Sequence, residues 1–506
     1  MQYITKKEVK NRKLNKLKVR INNNKFIKQE LKKTKDLLDN VNGYPLDKYQ
    51  RKAVLINEEN NLVIAGAGSG KTLTIVGKIR YLIEVLNIRK EEILCISFTN
   101  DSVNSLKKAL LKNYNYNLDV YTFHKLSLNI IKDNNKNISI CNDGLLEYII
   151  DEFFLRNITN IKLLYTDNYK KLKVLISTFI NLFKSNNYNI SKFNEFFKNM
   201  KYSQEFILLK IIKEIYFEYE EELSSTGKVD FNDMINKAID IVKNNGYIKK
   251  YKYIIIDEYQ DTSYTKYLLI NEIKEKTNSK LFVVGDDFQS IYRFTGCNLD
   301  IFLNFNKYYE YSKILKIVNT YRNSNELINI AGNFVMKNKK QLRKKLVSNK
   351  NILNPIEIIY SKNLKKSLLR LIDKINTPIL LLGRNNKDIY KYFNSINTDG
   401  TLKYNNKTIR YLTVHKSKGL EEENVIIINL ENNILGFPSK IENNKILRFV
   451  LNDKDSYPYE EERRLFYVAL TRTKNKVYLL VDKNNESIFV KELIKNNKKN
   501  IIIKNE

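Results

Sequence analysis

The run AGAGSGKT, Ala65 to Thr72, holds the densest chemistry in the chain. An apolar run, Leu62 to Ile64, precedes it, and a helix-compatible segment, Leu73 to Leu86, follows. A glycine-rich turn between a buried strand and a helix N-terminus aims several backbone N–H groups at one place, and the helix dipole adds to the pull on an anion. That geometry suits the polyphosphate of a nucleoside triphosphate. Ala65, Gly66, Ala67, Gly68, Ser69 and Gly70 would form the cradle, Lys71 would place a cation on the outer phosphates, and Thr72 would offer a hydroxyl to Mg²⁺. Ala65 stands where the general pattern has glycine, and Gly66, Gly68 and Gly70 supply the flexibility.

A second set of groups lies far downstream in YIIIDEYQD, Tyr253 to Asp261. Tyr253 to Ile256 reads as a buried parallel strand ending in two adjacent carboxylates. Asp257 at the strand end can hold the Mg²⁺ shell, while Glu258 can orient and deprotonate an attacking water. Together the two sets predict phosphoryl transfer from a nucleoside triphosphate to water.

These groups need a scaffold that brings distant segments to one edge. Apolar strands are read at Leu62 to Ile64, Ile93 to Phe98, Tyr253 to Ile256 and Leu281 to Val284, alternating with helices as in a doubly wound parallel sheet. A second alternating set comprises Ile379 to Leu382, Tyr411 to Val414, Val425 to Asn429 and Lys476 to Val481. Two sheets imply two lobes and a cleft. The chain, at 506 residues, is too long for one ordinary core. The expected division is a basic helical arm at 1–44, a first lobe at 45–133 and 226–300, a helical insertion at 134–225, and a second lobe at 301–506.

Lys and Arg total 88 against 56 acidic residues, a net charge of +32 that favours a polyanionic partner. Runs such as NNNKF, NKKQLRKK and KNNKKN have the character of codon drift in an AT-rich genome, which accounts for Lys over Arg better than for the basic surplus. Three cysteines without CxxC spacing indicate neither a zinc site nor a disulfide framework. No stretch has the length of a membrane span and the basic N-terminus lacks an apolar signal core, so a soluble protein of the cytoplasm is expected.

Further segments fall in a recognisable order. PLDKYQRKAV precedes the phosphate loop; SFTNDSVNSL (Ser97 to Leu106) and TFHKL (Thr122 to Leu126) follow it. Next come VGDDFQSIYRFTG (Val284 to Gly296), TYRNS (Thr320 to Ser324), TVHKSKGLEEENVII (Thr413 to Ile427) and EERRLFYVALTR (Glu461 to Arg472). In this order the set resembles the UvrD/Rep-like branch of superfamily 1 helicases. GDDFQSIYRFTG and the upstream NKFIKQEL are most similar to its helicase IV group. The resemblance runs from about Asn22 to Lys495 and implies two RecA-like lobes, a bacterial, phage or mobile-element source, and 3′–5′ movement on single-stranded DNA.

It also implies roles for residues whose chemistry suits them. Gln50 would read the adenine edge, Tyr321 would stack on the base and Glu421 would contact the ribose. Gln289 would sense the γ-phosphate, while Arg322 and Arg472 would act as arginine fingers from the second lobe, gaining contacts only when that phosphate is present. Thr99, Asn100, Phe123, His124, Tyr292, Phe294, Thr413, His415 and Lys416 would meet the nucleic acid. Phe294 stands where the family usually has Trp, and Asp47 where Asn is common before the adenine-reading Gln. Only about 90 residues separate Arg322 from Thr413, so the large second insertion of bigger relatives is expected to be absent or vestigial. The implied activity is ATP-dependent unwinding of DNA at single-strand/duplex junctions by a monomer, in repair, recombination or replication. A factor that displaces proteins such as RNA polymerase and the motor of a defence or mobile-element system remain as alternatives.

Overall fold

The computed structural model describes residues 2–134, 138–157, 161–198, 200–247, 249–440, 444–451 and 457–506. Six parallel strands form the first sheet, in the order Asp119–Thr122, Ile93–Ser97, Tyr253–Ile256, Lys280–Gly285, Asn60–Ile64, Ser312–Lys316. The chain enters near one side and later crosses over to both, as a doubly wound sheet requires. Alternate side chains explain why helices cover both faces. Leu62, Ile64, Leu94, Ile96, Ile254 and Ile256 enter one core; Val63, Cys95, Ile255 and Val284 enter the other.

The second sheet runs Thr401–Tyr404, Lys407–Thr413, Ile379–Gly383, Glu422–Ile427, Thr473–Asp482, Ile356–Ser361, Ile501–Asn505. It is parallel except for the edge strand Thr401–Tyr404, which returns as a hairpin onto Lys407–Thr413. The fold is α/β with two lobes, as expected. Between Arg322 and Thr413 the chain forms strands and helices of this second lobe, apart from a segment around Leu342 to Leu346 that lies against the first.

The boundary expected at residue 300 is corrected. Ser312–Lys316 pairs with Asn60–Ile64 in the first sheet, so that lobe runs on to Lys316. Its sequence, SKILK, lacks the continuous apolar run of its neighbours because it lies at the sheet edge, where Ile314 and Lys316 are exposed.

Four helices, Leu145–Asn157, Asp167–Ser185, Lys192–Phe197 and Gln204–Ser225, occupy the expected insertion among its described residues; 135–137, 158–160 and 199 lie outside them. They share an aromatic-rich core that also takes Ile446, Leu447 and Val450 from the second lobe. The N-terminal helix Lys16–Lys33 docks on the first lobe through Ile27, Leu31 and Glu30, the last accepting a hydrogen bond from the Tyr81 hydroxyl at 3.3 Å. Its lysines face outward.

Candidate active site and nucleic-acid interface

Strand Asn60–Ile64 is buried throughout and delivers the chain to the phosphate loop at its carboxyl end. The Ala65 N–H still follows the sheet, donating to the Gly285 carbonyl at 2.9 Å. The backbone then turns through Gly68 (φ +68) and Gly70 (φ +73), left-handed conformations that glycine adopts at little cost. Space is short as well: a Cβ on Gly68 would lie 2.4 Å from Arg322 Cβ, and one on Gly70 2.6 Å from Gln50 Nε2. Helix Lys71–Arg80 starts directly after Gly70, leaving its first amides free for an anion.

Gln50 is fully buried behind this loop. Its Nε2 donates to the Ser69 carbonyl at 3.1 Å and its Oε1 accepts the Asp47 N–H at 2.9 Å. Each amide atom retains one further bonding position. Asp47 caps its own helix and accepts from Asn319 Nδ2 at 2.9 Å and the Tyr321 hydroxyl at 2.8 Å. The Asp in place of Asn therefore ties the base-side segment to the second lobe. Tyr321 is exposed above it, and its N–H donates to the Gly68 carbonyl at 2.9 Å.

The carboxylates lie at the end of strand Tyr253–Ile256. Glu258 adopts φ +50, unusual for a residue with a side chain, and its Oε1 lies 2.5 Å from Lys71 Nζ. Gln260 Nε2 donates to its other oxygen at 2.6 Å. Burial raises the Glu258 pKa, but Lys71 and Lys418 outweigh it and hold the carboxyl well below the usual range. Burial and the neighbouring Glu258 charge push Asp257 up. Two carboxyls with opposed shifts suit different tasks. Asp257 Oδ1 accepts the Glu258 N–H at 2.8 Å, and Thr72 is exposed at the helix start. These are hard oxygen donors of the kind Mg²⁺ takes alongside phosphates. Among the described residues no group of three or more His, Cys, Asp or Glu could hold a metal by itself.

Gln289 ends the turn after strand Lys280–Gly285. Its Nε2 donates to Asp286 Oδ2 at 2.6 Å, which points its Oε1 at Arg472; Arg472 Nη2 donates to it at 3.2 Å. Arg472 is only 1% exposed and also donates to the Val468 and Leu420 carbonyls, at 3.0 and 3.2 Å. Arg322 Nε donates to Glu421 Oε2 at 2.6 Å, and Lys474 lies 3.3 Å from the other Glu421 oxygen. Both arginines, expected to gain contacts when a γ-phosphate is present, hold protein partners in this arrangement. Arg472 is enclosed between Val468 and Leu420 of its own lobe and Gln289 of the first, and Arg322 is drawn to Glu421, the residue expected at a ribose.

The nucleic-acid residues divide by exposure. Phe294 is 54% exposed and packs edge-on to His415 at 5.7 Å between ring centroids and to Tyr292 at 6.3 Å. Tyr292 stacks on Phe98 at 5.8 Å and donates its hydroxyl to the His415 carbonyl at 3.1 Å. One aromatic row thus crosses from the first lobe to the second. Burial, with nearby cations, pushes His124 and His415 each down to about 4. Thr99 caps helix Asn100–Tyr114, and both Thr99 and Asn100 are exposed. Thr413 is buried and its hydroxyl accepts the Lys416 N–H at 3.4 Å, whereas Lys416 is exposed. Phe123 is corrected: at 4% exposure it belongs to the core of the first lobe. The exposed ring beside it is Phe231, edge-on to His124 at 5.2 Å.

Several participants were invisible as chemistry in the sequence. Lys418 ion-pairs with Asp261, donates to the Gln289 carbonyl at 2.8 Å and lies 4.8 Å from the Tyr292 ring centre, bridging the lobes. Its KSKGLE context gave the signal, but two lysines there were indistinguishable. Phe98 looked like the last residue of a strand, and nothing in the sequence singled out Phe231. Lys344, within the run read as drift, is buried against Asp286 and Asp287.

Residues 46–310, more than half the chain, match the UvrD/REP helicase N-terminal domain, and residues 207–481 match the viral superfamily 1 RNA helicase core domain. The chain is 27% identical to DNA helicase IV of Escherichia coli (strain K12) over 91% of its own length and 72% of that protein. It is 29% identical to ATP-dependent DNA helicase Rep of Buchnera aphidicola subsp. Schizaphis graminum (strain Sg), over 87% of this chain and 65% of the relative. It is likewise 29% identical to ATP-dependent DNA helicase PcrA of Leuconostoc citreum, over 59% of this chain and 40% of that one. The match begins one residue before Asp47, spans the phosphate loop, the acid pair and the Gln289 turn, and agrees with the geometry they share: the chain belongs to the UvrD/Rep helicase family.

Proposed function

We propose that this protein is an ATP-driven 3′–5′ translocase on single-stranded DNA that separates duplex at junctions, working as a monomer in the cytoplasm in repair, recombination or replication. The observation that carries the reading is the convergence of Lys71, Glu258, Gln289, Arg322 and Arg472, from both lobes, around one phosphate loop.

Lys71 leaves Glu258 for the outer phosphates. Freed of its ion pair, Glu258 becomes more basic and takes the proton of the attacking water as the new P–O bond forms and the β–γ bridging oxygen departs with its electron pair. Thr72 and Asp257 would hold Mg²⁺, which supplies positive charge against the phosphate oxygens. Arg322 exchanges Glu421 for the transferring group, and Arg472 approaches it from Gln289, so each exchange alters what joins the lobes. Gln50 and Tyr321 frame the base, with Tyr321 anchored by Asp47.

The strand crosses the other side of the lobes, along Phe98, Tyr292, Phe294 and His415, with Thr99, Asn100, His124, Thr413 and Lys416 beside it. Lys418 touches both the Gln289 turn and Tyr292, so a change at the phosphate site reaches the aromatic row through one side chain. The test is ATP turnover measured with single-stranded DNA, RNA and duplex, followed by strand separation with and without a protein roadblock. Stimulation by single-stranded DNA with unwinding is expected; turnover indifferent to DNA would refute the reading.

A further inference from the structure

After helix Asn325–Val335 the chain leaves the second lobe and runs back across the first. Leu342 N–H donates to Asp287 Oδ2 at 2.9 Å, Lys316 Nζ donates to the Arg343 carbonyl at 2.8 Å, and Leu346 fills the space that a side chain on Gly66 would need. Lys344 sits at the centre of this strap. Its ammonium pairs with Asp286, lies 2.7 Å from Asp287 Oδ1 and 3.4 Å from the Ala65 carbonyl, and stands 3.9 Å from the Phe288 ring centre. Both carboxylates are fully buried.

We propose that Lys344 is a positioning residue for ATP hydrolysis: by keeping Asp286 ionised it fixes the polarity of the Gln289 amide, and with it the acceptor offered to Arg472. The inference rests on the function proposed above. Two adjacent buried carboxylates cannot both stay charged without a cation. Ionised, Asp286 accepts from Gln289 Nε2 and from the Phe288 N–H, so Gln289 Oε1 must face Arg472. Protonated, Asp286 becomes a donor, the amide is free to reverse, and an NH₂ group would then meet the guanidinium. The other charged or titratable groups facing Asp286 are Asp287 on its own turn and Tyr467 and Arg472 from the second lobe. Among these only Arg472 is a cation, and it is committed to Gln289.

The experiment compares wild type, Lys344→Met and Lys344→Arg in DNA-stimulated ATP turnover across pH. In Lys344→Met, kcat near neutral pH should fall on the order of tenfold or more, the effect of losing a hydrogen bond to a charged group, with KM for ATP nearly unchanged. The ratio of variant to wild-type kcat should climb with rising pH, because burial without a counter-ion favours the neutral carboxyl. Lys344→Arg should keep that ratio flat. Lys344→Met/Asp287→Asn removes one buried acid with the cation, covers the case in which the single variant does not fold, and should show the same climb. A merely structural role would lower the melting temperature and leave the ratio flat, which overturns the proposal. A wild type without DNA-stimulated turnover would overturn the function as well, whereas an active wild type with a flat ratio overturns the role of Lys344 alone.

Discussion

Arg472 donates to Gln289 at 3.2 Å, so the last motif of the second lobe is joined directly to the turn that follows the fifth strand of the first. Two groups expected to meet through a phosphate are in contact without one. In the function proposed above the arginines exchange partners, and the energetic difference between closed and open lobes would be set by how well phosphate competes with Gln289 and Glu421.

Exchange at Lys71 predicts a split between binding and turnover. Lys71→Ala should weaken ATP affinity and abolish turnover. Glu258→Gln should reduce kcat by about 10²–10⁴-fold, the usual value of a general base, with ATP affinity retained. Equilibrium nucleotide binding and steady-state kinetics on both variants check this, and normal turnover in Glu258→Gln would remove it from the base role.

Arg322→Ala and Arg472→Ala should each lower kcat by about 10³-fold or more while sparing ATP affinity, as loss of a transition-state cation does. Arg472→Lys should not rescue, because one ammonium cannot reach Gln289, Val468 and Leu420 together. Loss of affinity at unchanged kcat would instead identify ground-state ligands.

For the single strand, about 4–6 neutralised phosphates give a log–log salt slope near −3 to −4 at about −0.7 per phosphate. Phe294→Ala should cost about 1–3 kcal/mol of affinity and leave that slope unchanged, because stacking releases no counterions. Titrations at several salt concentrations test both numbers. A much steeper slope without a Phe294 effect would indicate a generic polycation.

His124 and His415 should contact the strand as neutral rings. Burial depresses both to about 4, so neither gains charge until the pH falls far below 6.5. Single-strand affinity should therefore not strengthen from about pH 8 to pH 6 through these residues, whose ordinary range lies there. For stability the sign is the same for both: folding favours the neutral form, so the contribution is present above the unfolded pKa and is lost as pH falls from about 6.5 towards 4. Affinity curves for wild type and His415→Gln that diverge between pH 8 and 6 would contradict this.

The sequence alone determined the parts whose chemistry is local. A glycine-rich turn after an apolar strand, an acid pair after another, and apolar runs buried on both faces are set by backbone and solvation within about ten residues, so the phosphate loop, the acid pair and eight strands were legible. The edge strands Asp119–Thr122, Ser312–Lys316, Thr401–Tyr404 and Ile501–Asn505 were not, because edge strands keep a polar face, and neither was the interior Ile356–Ser361, whose apolar run is broken by Glu357. What only the tertiary structure decided was which of many like residues matter. Lys344 and Lys418 are two among 88 basic residues, and Phe98, Phe123 and Phe231 are one residue type with different exposures. Lysine spacing carries no periodic signal, and a phenylalanine after a strand reads alike whether it faces a core or a cleft. Burial and a partner hundreds of residues away, such as Asp47 for Tyr321, give each its role. Those are properties of the packed chain, where desolvation makes an isolated charge costly and so selects its counter-ion.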